Sequence, residues 1–393
     1  MTARCLVIDP ERSLILRRLA LPDSKAVSMK DAGRVLLRRR APFRQVYSQR
    51  ELCAVLPRFA RHLVAGDRDR AWVRAWVEAA RCAVVVSADN HHRFLGSAEL
   101  RASGVRVVSI QSGFQTARDL HSLSRLSDES RRGRHRHEST VYDIFLAWGE
   151  RDIERLREAK ISYRFAMSVG SVLDSMHRAT VATKLPQCDI AVVLLKPSTF
   201  NFPDLQPYRR DQKFSRRMLY EYLCSYCAAR GIRPTMVLRA SDEESFQAQI
   251  GILRGLYPGD FSTSDWRAPL GSYDAVMSAG VTVGDQSSLL VEALGRGRRV
   301  LAVNMTDNPS LDFSLEGYWT LRRPSFTEFA DRLDGIRAMS DAAWAALSGA
   351  ASRRLSAYDE ACPADGFVQR FVLRLCGGDE PETAAREATR SEK

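Results

Sequence analysis

The stretch Val281–Asn304, VTVGDQSSLLVEALGRGRRVLAVN, decides how the rest of the chain is read. Val281 and Val283 begin an apolar strand that runs into Gly284-Asp285-Gln286-Ser287-Ser288. Leu289, Leu290, Ala293 and Leu294 then recur at helical spacing until Gly295 and Gly297, and Val300 to Val303 opens a second strand. Asp285 or Ser287 can cap the helix, and the N–H groups of its first turn, with the serine hydroxyls and the positive end of the helix dipole, make a seat for phosphate. Gln286, Ser287 and Ser288 are therefore candidate phosphate ligands, although the same residues also describe a well-capped helix with no ligand at all. Arg239, directly after the strand Pro234 to Leu238, would add a charge-assisted contact to the same anion. Glu292 faces the same side of the helix about one turn deeper, where a carboxylate can accept from ribose hydroxyls.

Around this unit the second half of the chain alternates strands and helices. A strand at Ile190 to Leu195 precedes a helix at Arg210 to Arg230, and a helix at Asp242 to Tyr257 precedes a strand at Ala275 to Ser278 or Val281 to Val283. Helical spacing returns at Ser325 to Ile336, at Asp341 to Tyr358 with Ser340 as cap, and at Phe367 to Leu375. The first half shows the same alternation: two helices between Gln49 and Ala80 broken at Ala65-Gly66-Asp67, then strands at Ala83 to Val86, Val105 to Ile110 and Tyr142 to Ala147, and a helix from Arg151 to Ala159. Such alternation predicts parallel sheets with helices on their faces and ligand sites at the strands' C-terminal ends. The expected organisation is an α/β chain with an acceptor-side domain over residues 1–174, a linker over 175–187, a donor-binding domain over 188–376 and a disordered charged tail over 377–393.

Two stretches fall at strand ends in the first half. Asp89, followed by Asn90, His91 and His92, presents a carboxylate suited to act as general base or as a nucleophile on a sugar carbon, or else a helix N-cap. Asp89, Asn90 and His91 are taken as the candidate catalytic group. Gln111 and Gly113 end the next strand and are the candidate acceptor-side residues, glycine there allowing close approach of backbone to ligand. Adjacent histidines do not share a helix face and no carboxylate spacing accompanies them, so no metal site is expected.

Composition narrows the partners. The net charge of +12 calls for an anionic partner: nucleic acid, an acidic membrane surface or a phosphorylated small molecule. The arginine clusters at Arg38 to Arg40 and Arg131 to Arg136 are not interleaved with aromatics, so nucleic acid is not the expected ligand. No apolar run approaches the roughly 20 residues of a membrane span and no signal-peptide pattern opens the chain, which predicts a cytoplasmic location, with peripheral contact to the inner leaflet through the basic clusters. The eight cysteines lie mostly in apolar segments and read as free thiols. A glycine-rich phosphate loop ending in Lys-Ser/Thr, a dinucleotide fingerprint after the first strand, a Gly-x-Ser-x-Gly elbow and a His-Glu-x-x-His helix are all missing from the sequence, which removes the commonest kinases, dehydrogenases, hydrolases and zinc proteases.

The order Val85-Val86-Ser87-Ala88-Asp89-Asn90, Val108 to Gly113, Asp143 to Gly149, Val169-Gly170-Ser171 and Gly284 to Ser288 with Glu292-Ala293 resembles bacterial surface-carbohydrate biosynthesis transferases of the GT-B fold. More distantly it is similar to β-Kdo and sialic acid transferases and to CDP-glycerol glycerophosphotransferases. The resemblance covers roughly Cys82 to Asn304. It implies two Rossmann-like domains facing a cleft, and a metal-independent enzyme, without cofactor, that moves a sugar from a nucleotide donor to a surface polysaccharide or lipid-linked glycan. Ser287 and Ser288 would inherit the donor-phosphate role and Asp89 the place of the acidic residue that faces the sugar. This chain has Arg239-Ala240-Ser241 where the CMP-sugar enzymes carry His-Pro, which leaves the base open. A CDP-glycerol-type transferase and a non-catalytic anion-binding protein are the alternatives.

Overall fold

Val84–Ala88, VVVSA, is buried at every position, as expected of a strand whose two edges are paired and whose two faces are covered. In a computed structural model of the chain it is β3 of a six-stranded parallel sheet. The structure describes residues 5–8, 19, 21, 24–27, 49–63, 68–88, 98–113, 120, 142–180, 188–193, 207–238, 240 and 242–390. The chain divides into two compact units, one comprising residues up to Gly113, Asp119–Ser175 and Ala357–Lys393, the other Met176–Ser356 with Phe114–Arg118.

The sheet of the first unit contains β1 (Cys5–Ile8), β2 (Ser24–Val27), β3 (Val84–Ala88), β4 (Arg106–Ile110), β5 (Tyr142–Ala147) and β6 (Tyr163–Ser168), in the order β2-β1-β3-β4-β5-β6. All neighbours are parallel. Helices α1 (Gln49–Leu63) and α2 (Arg68–Ala80) supply Phe59, Trp72 and Trp76, which pack edge to face at 5.1 and 5.9 Å over Leu6, Ile8, Val85 and Val107. A short α3 (Ala98–Ala102) precedes β4. Helix α4 (Glu150–Glu158) brings Ile153 and Leu156 to a second cluster with Tyr142 and Phe145. Asp143 is fully buried in β5 because its Oδ2 accepts the Val107 N–H at 2.9 Å.

The second unit holds β7 (Cys188–Val193), β8 (Thr235–Met236), β9 (Ser262–Thr263), β10 (Ala279–Gly284), β11 (Val300–Asn304) and β12 (Thr320–Arg322) in the order β12-β11-β10-β7-β8-β9, again all parallel. Its helices are α6 (Pro207–Arg230), α7 (Glu243–Leu256), α8 (Gly271–Met277), α9 (Ser288–Gly295), α10 (Phe326–Ala338) and α11 (Asp341–Leu355). Residues Ala275–Met277, one of two alternatives for the strand before the phosphate turn, belong to α8, and the strand is β10. Ser340 caps α11 through the Ala343 N–H, as its spacing predicts.

Three boundaries differ from the sequence expectation. Residues 175–180, expected as linker, continue the helix α5 (Val172–Thr180), where Ser175 donates to Asp365 at 2.6 Å; 181–187 lie outside the described residues. Residues 357–376, expected with the second domain, belong to the first unit. Helix α12 (Ala364–Cys376) stacks Phe371 on Phe165 of β6, and Gly170, at φ +88°, has no room for a Cβ beside the Ala357 carbonyl. The expected disordered tail instead contains α13 (Pro381–Thr389), which buries Ala384, Ala385 and Ala388 while Glu380 accepts from Arg106 and Arg164.

Candidate active site

The strand order of the second unit reverses between β7 and β10: the chain works outward through β8 and β9 on one side, then returns to add β10, β11 and β12 on the other. In an open parallel sheet this reversal leaves a crevice at the C-terminal ends of the two central strands. Gly284 closes β10 there. It is paired with Val193, the last residue of β7, and a Cβ on Gly284 would overlap the Val193 carbonyl oxygen, so no larger residue fits.

Asp285 and Ser287, both possible caps by sequence, have separate roles. Ser287 is the N-cap of α9: its Oγ accepts the Leu289 N–H at 3.3 Å and its backbone is extended. Capping uses an acceptor lone pair of the hydroxyl, and its proton stays available to an anion. Asp285 is 7% exposed and its Oδ2 accepts from Nε of Arg216, on α6, at 2.6 Å. Its Oδ1 meets no donor among the described residues. The pair removes two buried charges from water together, and the Asp285 carboxylate also helps raise the Tyr220 phenol, whose burial is the larger cause.

Gln286 is engaged in holding the turn. Its amide nitrogen donates to the carbonyl oxygens of Ser310 and Asp312, so its side-chain donor faces the protein and not a phosphate. The segment that receives it is itself braced. Asn304, ending β11, donates to the Asn308 carbonyl at 3.0 Å and to Asp312 Oδ1 at 2.8 Å and accepts the Thr306 N–H at 2.9 Å; Met305 N–H donates to Ser215 at 2.9 Å. A cavity of about 220 Å³ opens beside this brace, with Asp285, Asn304, Asp312 and Glu316 among its walls. Glu292 is buried and accepts from the Tyr273 hydroxyl at 2.5 Å, an internal bond between α9 and α8. Ser288 begins α9 beside Ser287. Arg239 lies outside the described residues.

In the first unit the strand order reverses between β1 and β3, so the C-terminal ends of those strands border the corresponding crevice. Ala88 is the last residue of β3. Asp89, Asn90 and His91 follow it in sequence and lie outside the described residues, as does the Arg/His segment 131–137. Gln111 is described, and its expected role as an acceptor contact gives way to a structural one. It is fully buried, its Oε1 accepts the Trp148 N–H at 2.9 Å, its Nε2 donates to the Gly113 carbonyl at 3.3 Å, and its own carbonyl accepts the Trp148 indole N–H at 3.0 Å. This ties the end of β4 to the end of β5. Gly113 is buried beside it.

Sequence reading missed Arg216. The signal was present: Arg216 falls on the helical stripe Ser215, Leu219, Tyr220, Leu223, Tyr226 and Cys227, all buried, and a cation inside an apolar stripe asks for a carboxylate.

No protein-family model matches the chain, and no curated protein matches it. Among solved structures it is similar to one provisionally named a UDP-N-acetylglucosamine 2-epimerase from Listeria monocytogenes, with a TM-score of 0.55 at 10% identity over 97% of this chain and 98% of the other. It is also similar, at a TM-score of 0.48, to sucrose-phosphate synthase from Thermosynechococcus elongatus, with 14% identity over 96% of this chain and all of the other. The UDP-GlcNAc 2-epimerase of Neisseria meningitidis gives the same score at 9% identity and the same coverage. The fold is GT-B. At these identities the likeness is one of fold. Among the described residues no helix is long and apolar enough to cross a membrane, and no group of three or more His, Cys, Asp or Glu could hold a metal ion.

Proposed function

We propose that this chain is a nucleotide-sugar-dependent glycosyltransferase, metal-independent, that transfers a sugar to a surface polysaccharide or lipid-linked glycan. The observation that carries the reading is the Gly284–Ser288 turn at the strand-order reversal of the second unit, where Ser287 caps α9 with an acceptor lone pair and keeps a hydroxyl proton for phosphate. Support comes from the fold, because a solved neighbour of the same fold is provisionally named for a UDP-sugar. The adjacent cavity suits the transferred group: Glu316 on its wall offers carboxylate oxygens, Asp312 is held there by Arg322 and Asn304, and a sugar offers hydroxyl protons.

In this reading the donor phosphates rest on Ser287, Ser288 and the first turn of α9, with Arg239 as a further cation. Asp89 acts on the reacting carbon or the acceptor hydroxyl, with Asn90 and His91 beside it. Arg216 holds Asp285 so that its charge does not oppose the incoming phosphates. The basic character of the chain favours an acceptor presented at an acidic membrane face.

The test is nucleotide release from a panel of CMP-, CDP-, UDP- and GDP-linked donors, with calorimetry for donor binding. Ser287→Ala with Ser288→Ala should weaken donor binding by about tenfold or more, and Asp89→Ala should abolish turnover with binding kept. Unchanged affinity in the double variant would discard the phosphate seat. Product mass spectrometry separates sugar transfer from glycerophosphate transfer by whether phosphorus moves with the group, and an epimerised donor without transfer would reassign the chemistry.

A further inference from the structure

The second unit contains a larger cavity, of about 470 Å³, away from the phosphate turn. It lies against the first residues of β7 and β8, Cys188 and Thr235, and the residues just before β10 and β11, Ser278 and Arg298. This is the N-terminal end of the sheet, where the fold gives no reason to expect a ligand. The volume falls within the roughly 300–1,000 Å³ of small-molecule sites.

Its cations are Arg178, Arg296 and Arg298. Arg296 is positioned by a buried histidine: its Nη1 donates to Nδ1 of His177 at 2.8 Å. A guanidinium can only donate, so His177 is neutral here, with its proton on Nε2 directed at Asp274 Oδ1 3.1 Å away. That engages one of the two carboxylates that line the cavity among the described residues. The other, Asp265, accepts the Arg267 N–H at 2.9 Å.

Arg298 is the unusual member. Its Nη2 donates to the Ala279 carbonyl at 3.1 Å, while its Nε–H is closed off from solvent and meets no acceptor among the described residues. Burial pushes the guanidinium below the ordinary arginine range, and Asp341, the carboxylate that acts against this, is bonded to Arg299 at 2.7 Å. Arg298 therefore brings to the wall of an open cavity a half-buried positive charge whose countering carboxylate serves another residue, and an anion in the cavity would neutralise that charge even though the Nε–H itself is out of its reach. Ser264, also on the wall, accepts the Leu238 N–H at 3.2 Å and retains its proton for an acceptor.

We propose that this cavity is a second binding site, for a small phosphate-bearing molecule, in which Arg298 supplies the neutralising charge, Arg178 and Arg296 flank it, and Ser264 donates. Phosphate fits better than carboxylate because it presents more acceptor oxygens to this many donors. The site is independent of the donor site proposed above.

Calorimetry with inorganic pyrophosphate tests it on the full chain carrying Ser287→Ala and Ser288→Ala, so that the phosphate turn does not contribute. Binding should persist in that background and weaken about tenfold or more when Arg298→Met is added. No binding in that background, or equal binding with and without Arg298, overturns the proposal; binding of citrate in place of pyrophosphate overturns the phosphate assignment. Should Arg298→Met fail to fold, Cys188 gives a second readout on the unmutated cavity. Pyrophosphate should slow maleimide labelling of Cys188 severalfold and leave the exposed Cys53 unaffected, read by peptide mass spectrometry. Equal labelling of Cys188 with and without pyrophosphate overturns it.

Discussion

Replacing Arg216 by methionine tests the link between the buried charge pair and the phosphate turn. Arg216 is 2% and Asp285 7% exposed, with Nε and Oδ2 2.6 Å apart. Removing the cation leaves a carboxylate that already has one oxygen without a donor among the described residues. Breaking one side of such a pair costs about 3–5 kcal/mol, because the remaining charge is neither solvated nor paired. Against a typical domain stability of roughly 5–15 kcal/mol this is about a fifth of the total or more. Asp285→Leu in the same chain should recover much of the loss, since two apolar side chains in place of a buried pair are often no worse than the pair itself. Hydrogen exchange in urea, read on peptides from α6 and β10, reports on the second unit by itself. The same variant should bind donor nucleotide more weakly, because the unpaired Asp285 charge stands two residues before Ser287. A loss below about 1 kcal/mol for Arg216→Met, the value of an exposed pair, would refute the reasoning. So would strict additivity in the double variant.

Gly284→Ala should destabilise the protein by about 1–3 kcal/mol, seen as a lowered thermal midpoint, since its Cβ meets the backbone of β7 and no flexible side chain can yield. Asp334 is held below the usual carboxylate range by the Arg230 guanidinium and the Tyr226 hydroxyl, so its contribution exists above the unfolded pKa of about 3.9 and disappears as pH falls through the folded value. Stabilities of wild type and Asp334→Asn from urea unfolding should accordingly differ by under about 1 kcal/mol at neutral pH, the pair being partly exposed, and converge as pH falls through the lowered folded value. Deleting residues 378–393 should lower the thermal midpoint by roughly 2–8 °C, because α13 covers α12 with its alanines and Glu380 bridges β4 and β6; an unchanged midpoint would return the segment to a dispensable tail.

What could be read in the sequence was whatever a segment's own neighbours determine. Val84–Ala88 and Tyr142–Ala147 announce themselves because a strand covered on both faces is apolar along most of its length, Ser87 and Asp143 being the exceptions. Ser340 announces itself as a cap, and Ser287 as one of two candidates with Asp285, because a cap needs only the first turn of its own helix. Strands β9 and β12, of two and three residues, are too short to show a period and exist through their partners, whereas β8 falls inside the strand read at Pro234 to Leu238. The C-terminal return to the first unit was hidden for a related reason: helical spacing at Phe367 to Leu375 declares an apolar face without declaring what it covers, and Pro381–Thr389 covers α12 with alanines that a hydropathy reading discounts.

The candidate site divides along the same line. Ser287 was legible, whereas the role of Asp285 was not, because its partner Arg216 stands 69 residues earlier on another helix. Gln286 and Gln111 looked like ligand contacts because they are polar residues at strand ends. Each is instead a brace that satisfies backbone groups the turn would leave bare, Gln286 on Ser310 and Asp312, Gln111 on Trp148 and Gly113. A polar side chain at the mouth of a parallel sheet thus has two uses, one toward a ligand and one toward the loops that shape the mouth. Hydroxyls such as Ser287 can serve both at once, because capping takes an acceptor and leaves a donor; a primary amide directed at two carbonyls cannot. In the proposed reading that difference in donor count assigns the donor phosphate to the serines, while the glutamine holds the turn in place.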